Sequence, residues 1–99
     1  MSRTIRDLVD AAVDALAGLA ALGEDVDDEW SYVTDLEAEW RARLGAVTAA
    51  RGDEPAGAPV ALAVDLVIEE IARIADPHRA IDWLSTFPQV VLVAMGEVP

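Results

Sequence analysis

Three stretches of this chain repeat apolar residues at the three- and four-residue spacing of an α-helix, and no other feature limits the fold as strongly. Over residues 4–22, Ile5, Leu8, Val9, Ala12, Val13, Leu16, Leu19 and Ala20 fall on one arc of a helical wheel, with Asp7, Asp10 and Asp14 opposite. That is a helix with one face inside and one in water. Ser2 or Thr4 has the side chain of an N-cap, and Gly23 stands where the helix is expected to stop. Gly18 reads as a tight crossing or an early end.

Residues 27–51 carry the second stripe: Val26 just ahead of it, then Trp30, Val33, Leu36, Trp40, Leu44 and Val47. Acids (Asp27, Asp28, Glu29) crowd its start, and Arg41, Arg43 and Arg51 lie toward its end, which matches the helix dipole. Glu37 with Arg41 and Glu39 with Arg43 are i,i+4 pairs in the favourable order, each contributing about 0.2–0.5 kcal/mol. Gly45 is a weak point, and Gly52 ends the element.

Residues 60–75 carry the third stripe, with Val60, Ala63, Val64, Val67, Ile68, Ile71, Ile74 and Ala75 on one face. The β-branched content suits a strand, but acids at 65, 69 and 70 fit the back of a helix better than they fit alternation. Leu62 and Leu66 do not belong to that face. They lie well round the wheel, four residues apart, beside Glu69 and Arg73, and predict a second contact surface.

Residues 52–59 form a loop by turn chemistry, the one candidate for a mobile connection. It does not divide two domains, because neither side would hold a core of its own. After the third stripe, Asp76-Pro77 reads as an N-cap with proline in the first turn, opening a short helix over 77–84 that would bury Ala80, Ile81, Trp83 and Leu84. Ser85 or Thr86 with Pro88 repeats the signal for residues 88–95, ending at Gly96. That last run also suits a buried strand, but it would have no sheet to join. The expected fold is all-α: one domain over 1–99, a compact bundle of three long helices and one or two short C-terminal ones.

Composition narrows the function. The chain has 99 residues, 19 acidic and 7 basic side chains, a net charge of −12, and neither cysteine nor lysine. The 54% hydrophobic content excludes a wholly disordered acidic chain. The charge opposes binding to nucleic acid or to an anionic membrane. Acids interrupt the apolar start, arguing against a signal peptide, and no uncharged apolar run approaches the roughly 18 residues of a membrane span. Without cysteine there is no disulfide framework or thiolate metal site, which fits a reducing, cytoplasmic setting. Absence of lysine removes Schiff-base chemistry.

Motifs for catalysis are sparse. No serine sits in a nucleophile elbow. His78 is the one imidazole, and with Asp82, Glu69 and Glu70 it makes a weak polar-site candidate. Its spacing reproduces neither the His-Glu-x-x-His pattern nor the Glu-x-x-His pairs of di-iron bundles; pairing with Asp82 or Asp76 in the first turn is the simpler reading. The acids of residues 24–29 lack the alternating ligands and central glycine of a calcium loop, and capping of the second helix accounts for them. Trp40 and Trp83 are the two indoles between which a ligand slot would lie.

These observations point to a small acidic helical interaction module, homodimeric or an accessory subunit, without catalytic activity or cofactor. Three apolar arcs, an apolar C-terminal region and the Leu62–Leu66 face together exceed what one 99-residue copy is expected to cover. Leu62, Leu66, Trp83, Phe87 and Tyr32 are the candidate interface residues. The competing readings are a metal-binding or enzymatic bundle built on His78, and an acidic nucleic-acid mimic that presents Asp7, Asp10 and Asp14 to a basic protein.

Overall fold

The computed structural model describes residues 3–24, 31–73 and 84–97. Over these it is a four-helix bundle: α1 (Ile5–Glu24), α2 (Ser31–Arg51), α3 (Ala58–Arg73) and the short α4 (Phe87–Ala94). The run that also suited a strand is thus helical, as is the β-branched third stripe as far as Arg73. The helix expected over 77–84 lies outside the described residues except for Leu84.

All eight residues of the first stripe are buried, as are Val33, Leu36, Trp40, Leu44 and Val47 of α2. α3 contributes Val60, Val64, Val67 and Ile71, and Leu84, Phe87 and Val91 close the far side. Trp40 is the central plug. Its ring lies 4.5 Å from that of Phe87 at an interplanar angle of 42°, and its indole N–H donates to the Leu84 carbonyl at 2.9 Å inside the core. A buried indole needs an acceptor, and here that need fixes the chain just ahead of α4. Phe87 thus packs on the Trp40 ring, and the slot suggested between Trp40 and Trp83 falls on Trp83, outside the described residues. Among the described residues no polar or charged side chain is buried.

One end of the bundle gathers four helix termini. Thr4 is the N-cap of α1: its hydroxyl accepts from the Asp7 amide at 3.1 Å, and the Asp7 carboxylate faces back toward the Thr4 amide. The next free amides of α1 find acceptors in the 52–57 connection, Ile5 to the Glu54 carbonyl (3.1 Å) and Arg6 to that of Gly52 (3.0 Å). Ala56 donates to the Arg3 carbonyl at 2.9 Å, and Thr4 and Pro55 form a lone antiparallel bridge. The loop expected to be mobile is thus tied down, because the unpartnered donors at a helix start need acceptors. It is also shorter than expected. α3 begins at Ala58, since Pro59 in a first turn has no amide to waste.

Arg51 joins this corner to α4. It reaches Glu54, the Met95 carbonyl (3.1 Å) and Glu97 (2.6 Å). α4 ends in a complete Schellman motif: Gly96 at φ +75° donates to Val93, and Glu97 donates to Leu92. The C-terminal end of α4 therefore stands beside the start of α3, and the two run antiparallel. Packing is principally α1 on α2 and α3, and α4 on α3 and α2, so α1/α2 and α3/α4 form opposite edges of the bundle.

Two expectations for glycines are corrected. Gly18 marks neither a crossing nor an end, since α1 continues to Glu24 and a Cβ at 18 would meet nothing within 4 Å. Gly23 lies within α1 rather than terminating it.

Candidate functional site

The exposed large hydrophobics of the described residues are Leu62 (61% exposed), Leu66 (47%), Val90 (46%) and Val93 (49%), and all four line one groove. The groove runs between α3 and α4, with Pro59, Ala63 and Ala94 completing its apolar walls and Gln89 its single polar one. Its volume is about 510 Å³. Antiparallel packing sets Val93 and Ala94 toward Leu62, and Val90 toward Leu66. On α3 the buried residues 60, 64, 67 and 71 occupy the opposite side of the helix. On α4, Phe87, Pro88 and Val91 face inward and Val90 and Val93 do not. Each helix therefore has two apolar faces, and the bundle uses one.

Charges around the groove are largely compensated within the chain. Asp65 takes a bidentate pair of bonds from Arg3, 3.2 and 3.1 Å. The hydrogen bond, then the charge, of that guanidinium holds the Asp65 carboxyl below the usual carboxylate range. Glu69 pairs with Arg73 and Glu97 with Arg51. Arg43 donates to Gln89 at 2.9 Å, joining α2 to the groove's polar edge. Glu70 is the exposed acid on this side without an arginine partner among the described residues.

Of the residues singled out from the sequence, Leu62 and Leu66 lie together on the surface. Phe87 does not join them: it is 2% exposed and packs on Trp40. Trp83, His78 and Asp82 lie outside the described residues, as does the side chain of Tyr32 within α2. Glu69 and Glu70 are exposed on α3, and among the described residues no three of His, Cys, Asp and Glu converge as a metal site would require. Val90 and Val93 are missed by sequence reasoning. The run from Gln89 to Met95 suits strand and helix alike, and no face can be drawn on it until the helix is known. Their signal was present: at helical spacing, 90 and 93 fall away from 87 and 91.

A second depression of about 320 Å³ lies on the opposite edge, between α1 and α2, lined by Val9, Val13, Leu44, Gly45, Arg6 and Arg41 among others. Its arginines already have partners, Arg6 in Asp53 and the Thr48 carbonyl and Arg41 in Glu37. Asp7, Asp10 and Asp14 are exposed on α1, and Asp35 on α2.

Comparison with protein families, with curated proteins and with solved structures finds no match to this chain. No described helix is long and apolar enough to cross a membrane.

Proposed function

We propose that this protein is a non-catalytic interaction module, a self-associating or accessory subunit, that docks an apolar helical surface in the α3–α4 groove. The observation that carries this reading is the convergence of Leu62, Leu66, Val90 and Val93, about half exposed each, on one strip. Scattered exposed aliphatics need no explanation, whereas four on one strip mark a contact surface. Covering the exposed half of each contributes about 1 kcal/mol, enough for a reversible contact once the cost of association is met.

The non-catalytic part of the reading is supported by the character of the groove. Its walls hold no titratable group, while acid–base and nucleophilic chemistry relies on side chains whose ionisation is shifted by burial or a neighbour. The cysteine-free chain suits a reducing compartment such as the cytoplasm.

A photo-activated cross-linking residue placed in turn at Leu62 and Val93 tests the proposal. Both positions are expected to yield the same adduct, identified by mass spectrometry as another copy or a second chain. Ala46, exposed on α2, is expected to yield none. Adducts from Ala46 alone, or different adducts from the two groove positions, would count against it.

A further inference from the structure

We infer that the occupant of the α3–α4 groove is a second copy of this chain, seated about a twofold axis so that α3 and α4 of each copy pack on those of the other. The inference rests on the reading of this face as a docking surface and adds the identity of the partner. Three features of the molecule favour a copy over a basic partner.

The first is where the charge is. A chain of net charge −12 is expected to repel itself, yet near the groove Asp65, Glu69 and Glu97 each hold an arginine of their own, which leaves Glu70 as the unpaired acid there among the described residues. Asp7, Asp10, Asp14 and Asp35, which have no such partner among the described residues, sit on α1 and α2, the opposite edge. Docking through α3–α4 sets those acids outermost. The bundle measures 39 × 24 × 20 Å, so the two acidic edges end up roughly two bundle widths apart, several times the ~8 Å screening length of physiological salt. Repulsion between those acids across the dimer is then small.

The second is that the groove offers little to a cation. It is lined by seven apolar residues and one glutamine, and a basic helix laid in it would find most nearby carboxylates taken. The third is geometric. A twofold contact needs a self-complementary surface, and this face carries both a ridge, Leu62 at 61% exposure, and a furrow that accepts one. Eight lining residues are fewer than the roughly 20–30 per side of a standard interface. The rim at Glu70, Arg73 and Gln89 is drawn in as well, and the dimer is expected to be reversible, with a Kd on the order of 10 μM.

Sedimentation equilibrium of the full chain from about 1 to about 200 μM reads this out. The expected result is a monomer–dimer equilibrium, weakened at least ~10-fold by Leu66→Asp and by Val93→Asp and unchanged by Ala46→Asp. Leu62→Arg serves where either groove variant loses its helical circular dichroism. Raising NaCl from about 50 to 500 mM leaves dimerisation unchanged or tightens it, because screening relieves repulsion between like charges; a basic partner's contact would weaken. Since the chain has no cysteine, Val93→Cys is a unique handle, and a short bismaleimide is expected to join two copies through it but not through Ala46→Cys. A monomer at 200 μM overturns the second-copy assignment and leaves the docking surface to the cross-linking experiment above. A dimer indifferent to Leu66→Asp, Val93→Asp and Leu62→Arg overturns both.

Discussion

Gly18 and Gly52 answer an added methyl in opposite ways. At Gly18 a Cβ projects into open space on a regular helix, so Gly18→Ala removes unfolded-state freedom and is expected to stabilise by about 0.5–1 kcal/mol. At Gly52 the methyl would collide with the Thr48 carbonyl and lie 2.8 Å from the Arg6 guanidinium. Gly52→Ala should therefore cost more than about 1 kcal/mol. Gly96, at φ +75°, should lose about 1 kcal/mol on the same change. Urea titrations of the three variants would expose an error of sign. Trp40→Phe keeps a ring beside Phe87 but leaves the buried Leu84 carbonyl without its donor, for an expected loss of about 1–3 kcal/mol. A loss below ~0.5 kcal/mol would mean that the indole bond adds nothing.

At the scale of elements, α4 is too short to hold itself as a helix in water; packing and its C-terminal anchorage do so. Arg51 bonds the Met95 carbonyl and Glu97 at that end, so Arg51→Gln is expected to speed amide exchange over residues 93–97 while the core of α1 keeps its protection. Equal acceleration in both helices would instead assign Arg51 to global stability. The Arg3–Asp65 pair joins the segment before α1 to α3 and carries a pH signature. Asp65 ionises more readily folded than unfolded, so its stabilising contribution is complete above the ordinary carboxylate range and is lost as pH falls through the depressed folded value. Asp65→Asn should lower the urea midpoint at pH 7 and leave it unchanged near about pH 2. Both groups are more than half exposed, so the effect is small.

For the whole molecule, a net charge of −12 acts against compaction. Added NaCl is expected to raise the urea midpoint of the monomer by screening it; a midpoint independent of salt would show that the intramolecular pairs already cancel the field. Leu62→Ser with Leu66→Ser should together cost no more than about 2 kcal/mol, below the about 2–5 kcal/mol of truncating one fully buried leucine, since both side chains are about half exposed. The same double variant should lose the docking contact, which separates what the groove does from what the fold needs.

The inner faces of α1, α2 and α3 were legible in the amino-acid order, because the 3.6-residue period decides which side chains can share a core whatever they pack against. The displacement of Leu62 and Leu66 from that face was legible for the same reason. Tertiary packing alone decided the rest. It sent Phe87 inward, because Trp40 offers it a ring face; it turned the 52–57 connection into a clasp, because the first amides of α1 lacked acceptors; and it set Val90 and Val93 beside Leu62 and Leu66. A contact surface made from two helices depends on which helices become neighbours and in which direction they run, and that relation is settled in space by the core, not by spacing along either segment.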